Sequence, residues 1–437
     1  MSASPQVVPP PLAASAPAPW AVAVRLLVRW IEHHERADAL LEGLPKNMSR
    51  AERGRVQHLF FGALRHLGRL DSQIARWVAR PPRTRLRAVL VIAGFELIEG
   101  GEDGHSARVV HHAVEQAKTL ASPSEARLVN AVVRKLADSL ASQPVPARGA
   151  SAEDLADYFS HPLWLVKRWI GAFGAGPTRS LLEFHQRPAV VYARWRDRAV
   201  PTPEWLLPVS TPDFYEIAPG HWKDVEPELA AGSLYLQDPA TRHAIDLLAP
   251  QAGETLFDGC AAPGGKALFM ADLMGRGRIV AWDLPGTRLD RLKENLSRAR
   301  GVETTLVAGD LLGSPKTVLE ENGLPLEYTG ILLDVPCSNS GVMRHRVDVK
   351  WRLQEGDIFK HSRQQSSLLR AAAALVAPGG RLVYSTCSLD SQENEHVVAA
   401  FIDSAAGQWR QEAQTIARPW DSGHDGAAAF RLRRSGG

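Results

Sequence analysis

From Trp20 to about Leu140, apolar residues such as Val24, Leu27, Val28 and Ile31 recur at three- and four-residue spacing, which predicts amphipathic helices. Ser49 followed by Glu52 has the spacing of a capping box, so a helix starts there after a turn over 43–47. Further helices are expected over 86–97 and 107–120, and the polar, Pro-containing stretch 141–149 reads as a linker. Ser160 is expected to cap a short helix carrying Trp164, Val166 and Ile170, which Gly171 and Gly174 would end. Residues 190–195 read as a strand, and short strands mix with turns up to Gly232.

Beyond Gln237 the pattern changes. Asp238 and Pro239 make an N-cap and first-turn pair for a helix to Leu248. Strand-like runs at 255–258, 279–283, 304–308, 330–334 and 381–385 then alternate with helical runs such as 287–300 and 362–376. That alternation predicts an α/β domain built on a parallel, doubly wound sheet, whose ligands bind at the carboxyl ends of the strands.

A chain of 437 residues has room for about three domains. The expected division is a tail over 1–19, a helical domain over 20–142, a small α+β connecting domain over 150–235 and an α/β domain over 236–437. The tail is mostly Pro, Ala and Ser with no charged side chain, and its prolines deny it the unbroken apolar middle of a signal peptide. No run approaches the roughly 18 apolar residues of a spanning helix, so the expected location is cytoplasmic, without a membrane partner. The 3 cysteines, Cys260, Cys337 and Cys387, are too few and too far apart for a disulfide framework or a zinc cage, so no metal is expected.

Charge is unevenly spread. Between Arg50 and Arg87 stand Arg50, Arg53, Arg55, Arg65, Arg69, Arg76, Arg80, Arg83, Arg85 and Arg87 against Glu52 and Asp71 alone, whereas the whole chain carries only +3. Clustered guanidinium groups suit phosphate, so Arg50, Arg53, Arg83 and Arg85 are candidate RNA contacts; a solvated helix face is the alternative. Lys350 and Arg352, flanking Trp351, are further candidates, through charge and stacking.

The segment from Asp258 through Cys260, Ala261, Ala262, Pro263, Gly264, Gly265 and Lys266 follows the first strand of the α/β domain and opens a helix. Two adjacent glycines let the backbone press close to a ligand, but neither a dinucleotide nor a triphosphate fingerprint is present. Asp283 ends the second strand, where an acid meets ribose hydroxyls, and Asp310 ends the third, on the adenine side. With Lys266 the loop's sole basic residue, S-adenosylmethionine fits better than a nucleotide. The fourth and fifth strands place Cys337 and Cys387 just past their ends, and Asp334 lies beside the first thiol. Two thiols on one rim suit methylation of pyrimidine carbon 5, which becomes nucleophilic once a thiolate adds to carbon 6; Asp334 could bond the ring nitrogen. The spacing alone leaves open which thiol attacks. It also leaves open the bland reading, structural cysteines behind strands. Glu393, Asn394 and Glu395, a few residues on, are expected to cap the next helix rather than to bind metal.

The strings CAAPGGK, DVPCSNSG, DVKW and YSTCSLDSQENE resemble the bacterial Sun-type, RsmB-like branch of RNA cytosine-carbon-5 methyltransferases. FFGALRHLGRLD and AVEQAKTLASPSEARLVNAVVRKL are similar to that branch's NusB-like domain, and HPLWLVKRW and SLYLQDPA to its connecting region. The resemblance implies an all-α NusB-like RNA-binding domain, a small α+β connecting domain that joins it in gripping an RNA stem or loop, and a Rossmann-like class I methyltransferase domain. It also implies that the 260–266 loop, Asp283, Asp310 and Asp334 hold the donor, that Cys387 attacks, that Cys337 assists release, and that Cys260 is a packed loop residue. The expected enzyme is a monomer making 5-methylcytosine in 16S ribosomal RNA. Transfer RNA as substrate, or a non-catalytic RNA-binding assembly factor, are the alternatives. Three places depart from the family's pattern: Asn339, Val347, and the closing 425–430 segment, which lacks paired aromatics.

Overall fold

A computed structural model describes residues 18–197 and 199–436 of the chain; the expected tail, up to residue 17, lies outside them. The chain forms two compact units that meet in sequence between Val166 and Lys167.

The first unit is helical. Its helices run Pro19–His33, Ala37–Glu42, Arg50–Ala75, Thr84–Glu99, His105–Leu120, Glu125–Ser142 and Ala152–Tyr158. Fully buried Leu27, Leu59, Leu64, Ala93, Val133 and Leu136 line its core, which is why the apolar residues recur with the period of a helix. The capping box forms as the sequence predicts: Ser49 Oγ accepts from the Glu52 N–H, and Glu52 accepts from the Ser49 N–H at 2.7 Å. Ser160 does not cap a helix. It has a left-handed φ of 57°, and its hydroxyl oxygen instead accepts the N–H of Gly68 at 2.9 Å. The next helix begins at Leu163, after Pro162, and passes through Gly171 to Phe173.

In the second unit β1 (Tyr192–Trp195), β2 (Leu206–Pro208), β3 (Phe214–Ile217) and β4 (Leu234–Leu236) form a small sheet in the order β2-β3-β1-β4. The remaining strands, β5 (Thr255–Gly259), β6 (Gly277–Asp283), β7 (Val302–Ala308), β8 (Tyr328–Asp334), β9 (Val376–Thr386), β10 (Trp409–Ala417) and β11 (Ala427–Arg434), make one seven-stranded sheet. Its order is β10-β11-β9-β8-β5-β6-β7. The strands from β9 to β7 run parallel, and β10 and β11 are antiparallel additions at one edge. The predicted sheet is thus mixed. β10 is a half-exposed edge strand, so its apolar signal is weak. Both faces of the centre are covered, which makes Phe257, Ile331, Leu333 and Leu382 fully buried and explains the short unbroken apolar runs.

Asp238 caps a short 3-10 turn, Pro239–Thr241, that leads into the helix Arg242–Leu248; its Oδ1 accepts the Ala240 N–H at 2.8 Å. The helix expected over 362–376 starts earlier, at Glu355, because Gln354 and Asp357 form their own capping box.

Candidate active site

The chain winds outward from β5 to β7 and then crosses back to β8 on the other side of β5, so the winding reverses between β5 and β8 and opens a crevice there at the carboxyl rim. Onto this rim the fold brings Asp258, the 260–266 loop, Asp334, Cys337 and Cys387. The loop turns at Gly264, whose φ of +101° is one that residues with a side chain rarely adopt and whose added Cβ would lie 2.9 Å from the end of Leu292. Asp283 stitches it to β6: Oδ2 accepts the Ala262 N–H at 2.8 Å and Oδ1 the Leu284 N–H at 2.8 Å. Asp310 is exposed and accepts the Leu312 N–H at 2.9 Å. Cys260 packs against the core with a left-handed φ of 63°, and burial pushes its thiol up, out of reach of ionisation.

Beside the loop lies a cavity of about 220 Å³ bounded by Tyr235, Asp258, the loop and Asp334. Asp258 is 1% exposed, and neither carboxylate oxygen has a hydrogen-bond partner among the described residues. Burial, then the charge of Asp334, lifts it well above the usual carboxylate range. An acid left without a donor in this way fits a cation, such as the ammonium of an amino acid. Together with the cradle of loop backbone, this acid suits S-adenosylmethionine. The sequence holds the signal, an Asp closing a strand just before the glycine turn, but only the fold shows that neither of its oxygens is paired among the described residues.

A second cavity of about 130 Å³ is lined by Asp238, Thr241, Lys266, Asp334, Ser385, Cys387, Asp425 and Ala427–Ala429, among others. Lys266 Nζ donates to Asp334 Oδ2 at 2.6 Å, and the Ser385 hydroxyl donates to Asp334 Oδ1 at 2.7 Å. Burial works against the Lys266 charge, but Asp334, and then Cys387 and Asp258, hold its pKa above the ordinary value. Cys387 lines this cavity, and its Sγ lies 3.2 Å from that of Cys337, a residue that is 6% exposed and absent from the cavity wall. The bond to Cys387, then burial, raises Cys337 well above the ordinary thiol range and keeps it protonated.

Two residues at the thiols have roles that sequence reasoning misses. Asn339 has φ 58°, a conformation Asn tolerates, and its carboxamide oxygen faces Cys387 Sγ at 3.3 Å while its nitrogen donates to the Cys337 carbonyl at 2.8 Å. Glu393, expected with Asn394 and Glu395 to cap a helix, is fully buried and ties the two thiol loops together. Its carboxylate accepts the Ser338 N–H at 2.8 Å, the Ser338 and Ser388 hydroxyls at 2.5 Å each, and the Gln365 amide at 3.0 Å. Asn394 occupies the N-cap but makes no capping bond; it bonds Thr386 and the Ser388 carbonyl instead. Gly341 completes the tie. Its N–H meets the Cys387 carbonyl at 2.9 Å, its carbonyl takes the Gly426 N–H at 2.9 Å, and a Cβ would strike both neighbours.

The expected RNA contacts fare unevenly. Arg53 donates to the carbonyls of Pro45 and Met48, and Arg83 pairs with Glu125, so neither guanidinium is free. Arg50 and Arg85 are exposed, and Arg352 pairs with Asp348. Lys350 must be corrected: it is 2% exposed, held inside by its short helix, and so is not offered at the surface.

A seven-stranded, Rossmann-like sheet with a glycine loop and an unpartnered acid on one side of its crevice, and paired thiols on the other, defines a methyltransferase. Residues 245–425 match the family profile described as 16S rRNA methyltransferase RsmB/F, and residues 20–138 match the NusB family. The chain is 30% identical over 412 residues to ribosomal RNA small subunit methyltransferase B of Sodalis glossinidius, covering 91% of this chain and 92% of that protein. The protein of the same name from Yersinia pestis is 29% identical, with 91% and 93% covered. Among solved structures, that of PH0851 has a TM-score of 0.75 at 22% identity and covers 96% of this chain and 99% of its own. The chain belongs to the RsmB/F family of rRNA methyltransferases, with a NusB domain at its N-terminal side.

Proposed function

We propose that this enzyme makes 5-methylcytosine in 16S ribosomal RNA, with S-adenosylmethionine as donor and Cys387 as the nucleophile. One observation carries the choice of thiol: Cys387 lines the cavity together with Lys266 and Asp334, while Cys337 is buried, off the wall and held protonated. The donor, when bound, supplies a methyl group on an electrophilic sulfonium. Asp258 would face its ammonium, the backbone of residues 260–265 would wrap its methionine part, and Asp283, Asp310 and Asp334 would complete its site.

A cytosine turned out of its RNA stack into the second cavity meets Cys387 at carbon 6. The Lys266–Asp334 pair presents a proton to the ring nitrogen that gains electron density, and carbon 5 becomes nucleophilic. After methyl transfer the carbon 5–hydrogen bond breaks, its electron pair restores the carbon 5–carbon 6 double bond and expels the Cys387 sulfur, and the ring nitrogen gives its proton back to the Lys266–Asp334 pair. Cys337, 3.2 Å away, protonates the departing sulfur and is itself reprotonated by the proton released from carbon 5. Such chemistry requires reduced thiols, hence a reducing compartment such as the cytoplasm.

Bisulfite sequencing of ribosomal and transfer RNA from cells with and without the protein tests the substrate. A 16S cytosine mark that disappears with the protein is the expected result. A loss confined to transfer RNA overturns the substrate, and no loss at all overturns the activity.

A further inference from the structure

In the helical unit, the connection from the helix ending at Ala75 to the one starting at Thr84 carries Arg76, Trp77, Arg80 and Arg83, with Arg85 just beyond, and no acidic residue. Trp77 is 39% exposed, an unusual place for the largest apolar side chain. Lys135, on the helix Glu125–Ser142, sets its ammonium 4.9 Å from the centre of the Trp77 ring. The Arg83–Glu125 pair fastens the connection to that same helix, where Leu128 is 42% exposed. Arg76, Arg80 and Arg85 are exposed, with no acidic partner among the described residues. Against these cations stand Glu125, already bonded to Arg83, and Asp138, one turn past Lys135.

We infer that Trp77, with Arg76, Arg80, Arg85 and Lys135, forms a docking surface for single-stranded RNA. An exposed indole among cations gives a base something to stack on and its phosphates something to pair with. The excess of positive charge fits a polyanion. The occupant rests on the reading that the enzyme's substrate is RNA. Of the contacts expected from sequence the surface keeps Arg85 and leaves out Arg50 and Arg53, because the aromatic residue, not arginine density, locates it.

The test is the affinity of the full-length protein for a fluorescein-labelled single-stranded oligoribonucleotide and for the duplex of the same sequence, across a salt series. Trp77→Ala should weaken single-strand binding about tenfold, and Trp77→Phe should keep most of it. Arg80→Gln with Arg85→Gln should lower the slope of log Kd against log salt by about 0.7 for each phosphate that is no longer neutralised. Wild-type single-strand affinity in both sets of variants overturns the inference, as does a Trp77→Ala weakening that is equal for duplex. A thermal midpoint unchanged from wild type shows that the exposed substitutions left the fold alone. The methyltransferase reading is scored apart, because Cys387→Ala should bind the single strand like wild type while transferring no methyl group.

Discussion

Glu393→Gln keeps the size of the side chain that joins the two thiol loops and removes its charge. Four donors converge on the carboxylate, one of them the backbone N–H of Ser338, which cannot turn away. A hydrogen bond to a charged group contributes about 1.5–3 kcal/mol and a neutral one about 0.5–1.5 kcal/mol, so four converted bonds would cost about 4 kcal/mol. The Ser338 and Ser388 hydroxyls can reverse roles and accept from the new amide, or lean on Ser340 at 3.2–3.3 Å. That relaxation leaves a net loss of about 2–4 kcal/mol. Since Cys337 is buried by these loops, its alkylation by iodoacetamide reads their opening. The Gln variant should label Cys337 at least about 30-fold faster than wild type, the equivalent of 2 kcal/mol at about 1.4 kcal/mol per decade, with the labelled peptide located by mass. Methyl transfer should fall with it, because Cys337 and Cys387 would no longer be held 3.2 Å apart. Equal labelling rates in the two proteins would refute the reasoning and make Glu393 a passive core acid.

Other outcomes follow from the same geometry. Asp258→Asn should weaken S-adenosylmethionine binding, measured by calorimetry, by about tenfold or more, since it replaces a charged bond with a neutral one; unchanged affinity would place the ammonium elsewhere. Asn339→Asp should slow alkylation of Cys387 severalfold at neutral pH, because a carboxylate 3.3 Å from the sulfur repels a thiolate; a rate equal to wild type would mean the amide does not face the sulfur in solution. Asp238, which caps the turn beside the second cavity, is pushed up to about 7 by burial and then by Asp425. The folded protein therefore holds a proton that the unfolded chain has released above its ordinary value near 4, so this group's contribution to stability falls as pH rises from about 4 to 7. Asp238→Asn should lack that fall in a urea-unfolding series over this range, and parallel curves for the two proteins would contradict the assignment.

The parts of this molecule that are legible in its sequence are those in which one residue type answers to one local requirement. Ser49 with Glu52, Asp238 with Pro239, and the apolar runs of β5, β6 and β8 announce their elements because capping and burial on both faces leave few alternatives. Ser160 misleads: a serine before a helical run reads as a cap, but here its hydroxyl serves Gly68, some ninety residues away. β10 is hidden because a half-exposed edge strand carries little apolar periodicity, and β11, although buried between β10 and β9, opens on three alanines, which signal a strand weakly. At the site, residues fixed by motif order stand out, whereas those defined by what surrounds them do not. Glu393 is one acid in an acid-rich stretch until the fold brings Ser338, Ser388 and Gln365 onto it. Lys350 looks like a surface cation because its neighbours are polar, and only packing shows it buried.

Covalent catalysis by Cys387 is the claim on which the rest depends. RNA carrying a cytosine analogue that traps the carbon 6 bond, incubated with enzyme and donor and run on a denaturing gel, tests it directly. The account predicts an adduct with wild type, none with Cys387→Ala, and with Cys337→Ala a protein that stays bound even to unmodified RNA because release is impaired. An undiminished adduct from Cys387→Ala would contradict it and move the attack to Cys337.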